Sequence, residues 1–173
     1  REPLAAELAA ARGDAVLALG SVDALPFPDG AFAAIFSADV LYHRNVDEMR
    51  ALAEFRRCLA PGGRLVVNLP AYDWMRSSHD EAVHGARRYT AGRIRQALAA
   101  AGFTRIVCRY WNFLLFPLMA AKRKLLPSGS SDVHPFPAPI EAVFRAVMRT
   151  ETAMIRRGMG LPFGGSIMAA AVA

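Results

Sequence analysis

Short apolar runs alternate with stretches of helical periodicity along most of this chain. Residues 15–19, 32–38 and 64–69 are apolar on both faces of an extended backbone, which is the pattern of buried strands. Residues 104–110 and 166–172 read as two more strands. Between them the period lengthens. Residues 3–12 form an expected helix, with Pro3 in its first turn and Gly13 as its stop. Over 46–59, Val46, Met49, Leu52, Ala53, Phe55 and Leu59 recur at helical spacing, with Asp47 and Glu48 where they suit the helix dipole. Pro61-Gly62-Gly63 is expected to end that helix in a tight turn. Thr90 is a plausible N-cap for a helix over 90–101, with Gly102 as its stop. Ile140, Val143, Phe144, Val147, Met148, Met154 and Ile155 mark a last, amphipathic helix. Residues 20–30 form a loop, 70–89 a polar and aromatic loop, and 127–139 a proline-rich irregular linker.

Strands alternating with helices, and apolar throughout, predict an α/β layered domain with a mainly parallel sheet. The last two strands depart from simple alternation, so the final one is placed to insert antiparallel beside its neighbours. The chain is read as one domain over 1–173: an α/β core over 1–110, a helical insertion over 111–165 and the last strand over 166–173. It begins Arg1-Glu2-Pro3, directly inside a helical pattern, and so reads as cut from a longer chain.

Composition adds direction. The 173 residues are 54% hydrophobic and 21% charged, a globular balance. The net charge of +6 suits an anionic partner, or else an arginine-rich solvated surface. Arginine with abundant alanine and glycine points to a GC-rich bacterial source. Cys58 and Cys108 have no metal-type spacing and suggest no disulfide framework, as expected of a reducing, cytoplasmic setting. No zinc pattern joins the histidines to the cysteines. No nucleic-acid-binding motif is present.

One ordered set of segments is more specific. Gly20-Ser21-Val22-Asp23-Ala24-Leu25-Pro26-Phe27-Pro28-Asp29-Gly30-Ala31-Phe32 leads into an apolar strand. Asp39-Val40-Leu41-Tyr42-His43 follows, then Leu59-Ala60-Pro61-Gly62-Gly63 and another strand, then Arg88-Tyr89-Thr90 and Ala101-Gly102-Phe103. Over roughly 14–110 this set resembles the class I S-adenosylmethionine-dependent methyltransferases, in particular the methyltransferase type 11 group. The resemblance implies a Rossmann-like sheet of order 3-2-1-4-5-7-6. Strands 3 to 7 would be visible here, so the sheet is incomplete, with a helical insertion before its last strand. It implies S-adenosylmethionine as cofactor, with Ser21 and Val22 beside the adenine and Ala38 and Asp39 facing the methionine part. The family's usual aspartate at the adenine is Ser21 here, Ala33 replaces another aspartate, and Tyr42 a frequent glutamate. No Gly-x-Gly-x-Gly loop occurs, nor an acidic strand end for the ribose. The chain as written is therefore expected to bind the cofactor weakly.

Methyl transfer needs proximity, orientation and sometimes a base. His43 is one candidate base, or else a packing histidine at a helix start. The loop after the strand over 64–69 gathers Tyr72, His79, Asp80, Arg87, Arg88 and Tyr89. There His79 is a second catalytic candidate, and Tyr72, His79, Arg88 and Tyr89 are expected substrate contacts; a solvated loop with Arg–Asp pairs is the alternative. Residues 111–121 (WNFLLFPLMAA) are apolar, and Lys122-Arg123-Lys124 follows. Such a segment suits the interface of an anionic membrane, or packs on the sheet or on a second copy. The expected function is methyl transfer to a small-molecule or lipid-linked acceptor. Its competitor is a non-catalytic scaffold serving as a partner-binding or membrane-surface module.

Overall fold

The computed structural model describes residues 18–77, 80, 84–125 and 137–173. The expected helix over 3–12 and residues 15–17 of the expected strand over 15–19 lie outside them, as does most of the linker over 127–139; residues 18 and 19 are described and are not in a strand.

Four strands form one sheet in the order β1-β2-β4-β3. They are β1 (Phe32–Ala38), β2 (Leu59–Pro70), β3 (Thr104–Trp111) and β4 (Ser166–Val172). β1 and β2 are parallel, and β4 runs antiparallel to both β2 and β3. This is the 4-5-7-6 portion of the order expected above, with the final strand inserted antiparallel between its neighbours. The helices are α1 (Glu48–Cys58), α2 (Ala91–Ala100), α3 (Phe116–Leu125) and α4 (Ala138–Arg156), with a 3-10 turn at Asp73–Met75.

Local chemistry sets the boundaries. Asp47 caps α1 by accepting from the Met49 and Arg50 amides, each at 3.1 Å. α1 stops at Cys58, ahead of Pro61-Gly62-Gly63, because Leu59 is already extended and starts β2. The Pro-Gly-Gly segment is thus a bulge inside β2 rather than a helix stop: Phe32 pairs with Leu59, but Ala34 pairs with Arg64. Gly62 has φ +77°, and a Cβ on Gly63 would stand 2.8 Å from the Ala60 carbonyl and 3.2 Å from that of Ala33.

The core lies on one face of the sheet. Leu65, Val67 and Leu69 of β2 and Ile167, Ala169 and Ala171 of β4 point there and meet Leu52 and Phe55 of α1 and Ile94 and Leu98 of α2. Each large side chain buried in this way contributes about 1.5–3 kcal/mol. The other face carries a row of partners across all four strands, Phe36–Val66–Ala170–Val107. Phe36 is 65% exposed and Val107 52%.

α4 starts at Ala138, two residues ahead of the expected Ile140, because Pro139 fits its first turn. Its one buried residue is Glu151. That carboxylate accepts from the Asn112, Phe113 and Leu114 amides, the last two at 2.8 and 3.0 Å, and so ties α4 to the end of β3 and the approach to α3. A Cβ on Gly164 would overlap the Trp111 carbonyl, so that glycine lets the chain pass β3 on its way into β4.

Candidate functional site

β1, β2 and β3 run in the same direction, so their carboxyl ends share one rim, opposite the start of β4. The chain leaves each of them through or near a left-handed residue: Asp39 at φ +53°, Tyr72 at +58° and Asn112 at +59°. Non-glycine residues held there carry strain, and such strain concentrates where a side chain has to be aimed. Ligands of open α/β sheets bind at this rim.

Asp39 stands at this rim just beyond β1. Its carboxylate accepts from Asn68 Nδ2 at 3.3 Å to each oxygen. Asn68 Oδ1 accepts in turn from the Trp111 indole N–H at 2.8 Å. A hydrogen-bonded chain therefore spans three strand ends and fixes the carboxylate. Burial pushes the Asp39 carboxyl above the usual carboxylate range, against the opposing pull of Asn68 and the His43 charge. Burial also raises Tyr42, helped by the negative charges of Asp39 and Asp80.

Asp39 and Tyr42 face a cavity of about 210 Å³. Its other walls are Pro70, Asp80, Arg88, Met119 and Arg123, closed by Gly165 and Ser166 at the start of β4. Arg88 is buried and binds Asp80 in a fork, at 2.8 and 3.1 Å, with a third bond at 2.9 Å to the Ala71 carbonyl. Arg123 of α3 approaches Asp80 at 3.6 Å and donates to the Met75 carbonyl at 2.7 Å. Burial pushes Asp80 upward, but the hydrogen bonds from Arg88 and the Ser77 amide, with both arginine charges, outweigh it and hold the carboxyl below its usual range.

The expected site residues divide by position. Ala38, Val22 and Val40 line a second hollow, of about 410 Å³, along the edge of β1 that has no strand beside it among the described residues. Ser37 Oγ, on the same wall, is buried without a hydrogen-bond partner among the described residues. Ser21 is exposed, and its Oγ accepts from the Asp23 amide at 3.3 Å. His43 lines neither hollow; it stacks on Tyr42 with ring centroids 4.3 Å apart. Tyr72 stacks on Tyr110, and burial followed by the Tyr110 hydrogen bond pushes its hydroxyl up to about 12. Arg88 touches the 210 Å³ cavity only as the partner of Asp80. Tyr89 is wholly buried in the core cluster, its hydroxyl donating to the Leu41 carbonyl at 3.2 Å. His79 lies outside the described residues. Asn68 and Trp111 were not among the expected site residues, although an asparagine inside the apolar run Leu65-Val66-Val67-Asn68-Leu69 is the anomaly that flags it.

Residues 2–67 match the family described as "Methyltransferase domain". A solved Thermotoga maritima protein, a SAM-dependent methyltransferase described as a possible histamine N-methyltransferase, is 20% identical with a TM-score of 0.64 over 98% of this chain and 69% of its own. A Mesorhizobium loti S-adenosylmethionine-dependent methyltransferase is 16% identical with a TM-score of 0.60 over 100% of this chain and 77% of its own. The Thermus thermophilus demethylmenaquinone methyltransferase is 57% identical over 44 residues, which is 25% of this chain and 20% of that protein. The family match covers residues 2–67, and the likeness to these solved methyltransferases shows a shared Rossmann-like α/β fold. Its matched segments span a fifth or less of the curated relatives.

Proposed function

We propose that this chain supports methyl transfer from S-adenosylmethionine to a small-molecule or lipid-linked acceptor, with Asp39 taking the acceptor's proton. The observation that carries this reading is the Trp111–Asn68–Asp39 chain, which holds a carboxylate at the mouth of an open cavity at the carboxyl ends of the strands.

The wall formed by Val22, Ala38 and Val40 fits the flat, largely apolar edge of an adenosyl group, and Ser37 Oγ offers it an unsatisfied polar atom. When bound there, S-adenosylmethionine supplies a methyl group already activated on a sulfonium. The chain's own residues then position the acceptor and handle one proton. Asp39 accepts that proton as the acceptor's oxygen or nitrogen forms its new bond to carbon. Asn68 holds the carboxylate in place, and the His43 charge tunes it. Met119 and the Arg88–Asp80–Arg123 cluster form the far wall of the cavity. The family names of the relatives favour methyl transfer over a purely binding role.

The test is methyl transfer from labelled S-adenosylmethionine to a panel of amines, phenols and lipid-linked alcohols. Asp39→Asn should lower kcat/KM by about 10²–10⁴-fold, the usual contribution of a positioned base. The rate should fall as pH drops through the Asp39 pKa, because only the ionised form accepts a proton, and that limb should sit above the ordinary carboxylate range. Unchanged turnover by Asp39→Asn would end the assignment.

A further inference from the structure

α3 has two working faces. Met119 and Arg123 point inward and close the cavity beside Asp39. Phe116, 8% exposed, anchors the helix start among Tyr72, Trp74 and Phe163, with ring centroids 5.5–5.8 Å apart. The outward face is a ridge of Leu114, Pro117, Leu118 and Ala121, all exposed, with Leu118 at 59%. Lys122 and Lys124 are exposed at its end. Lys124 Nζ lies 5.9 Å from the Trp74 ring centroid, and that indole is half exposed.

An apolar ridge, a half-exposed tryptophan and flanking lysines form the chemistry that partitions into the headgroup region of a bilayer. The tryptophan and leucines enter the boundary of the acyl chains, and the ammonium groups meet anionic headgroups. Asp73, next to Trp74, is faced by Arg76 and Arg93 at 3.9 and 3.7 Å. A second copy of this chain is the other occupant that the test below distinguishes. No described helix is long and apolar enough to cross a membrane, so contact is made from the surface.

We infer that the outer face of α3, with Trp74, docks on an anionic lipid surface, so that the helix closing the acceptor cavity is also the helix that meets the membrane. This rests on the acceptor cavity proposed above for its consequence, delivery of a lipid-linked acceptor, but not for the docking itself.

Co-sedimentation of the protein with vesicles, without cofactor or acceptor, tests the docking alone. Binding is expected to vesicles of phosphatidylcholine mixed with phosphatidylglycerol, to weaken with salt, and to be far weaker to phosphatidylcholine alone. Lys122→Gln and Lys124→Gln should each lower the partition coefficient about five-fold, from the usual worth of a lysine at such a surface. Leu118→Glu should lower it by about ten-fold or more. All three side chains are exposed, and circular dichroism checks that the fold is retained. No binding to the mixed vesicles, or binding that these substitutions leave unchanged, overturns the inference. A mass by light scattering of twice the monomer that Leu118→Glu restores to one also overturns it. Methyl transfer to a water-soluble acceptor, measured separately, reports on the cavity and is expected to survive all three substitutions.

Discussion

The two faces of the sheet are built from similar residues and stand in different surroundings. On one, Leu65, Val67, Leu69 and Ile167 are sealed under α1 and α2. On the other, Phe36, Val66, Ala170 and Val107 form an equally apolar row that the described helices leave largely bare. Strands apolar on both faces are what a sheet covered on both sides requires. The lesson is that strand composition reports the layers a sheet is made to carry, whereas exposure reports the layers present around it.

The contrast can be broken by substitution. The largest effect is expected at the polar clamp beside the covered face. Arg88→Met leaves Asp80 buried without its main partner and should cost about 3–5 kcal/mol in denaturant unfolding. The same clamp sets an acid limb. The Asp80 pKa is depressed in the fold, so its contribution is present above the ordinary carboxylate pKa and is lost as pH falls through the lower folded value. Arg88→Met should remove that limb from the stability–pH profile.

Leu65→Ala, in the sealed layer, should cost about 2–5 kcal/mol. Asp47→Ala removes the α1 cap and should cost about 1 kcal/mol. Phe36→Ser sharpens the comparison most, because on the bare face it should change stability by no more than about 0.5 kcal/mol. A loss at Phe36 as large as that at Leu65 would mean that the second face is covered in solution.

The sequence made the layered fold legible wherever apolar runs had length and clear punctuation. The strands at 32–38, 104–110 and 166–172 appear within one residue of their expected bounds. The Pro61-Gly62-Gly63 bulge was hidden because helix stops and strand bulges use the same residues, and only the neighbouring strand distinguishes them. At the site, Asp39 stood out by motif, but its support by Asn68 and Trp111 joins residues 29 and 43 positions apart in the chain. No local pattern encodes such a contact. Arg88 and Tyr89 sit together in a polar stretch, yet the fold makes Arg88 the ion-pair partner of Asp80 on the cavity wall and buries Tyr89 in the core. Burial of a loop residue depends on what folds over it, and that information is spread over the whole chain.

In the proposed function, the adenosyl cofactor meets this chain at the rim formed by the carboxyl ends of β1 and β2. Titration of the isotope-labelled protein with S-adenosylhomocysteine, followed by amide chemical shifts, tests this without knowledge of the acceptor and tolerates weak affinity. The largest changes should fall on Val22, Ala38, Asp39 and Val40. Changes centred on Gly30, Ala33 and Gly63 at the opposite end, or none at millimolar ligand, would contradict it.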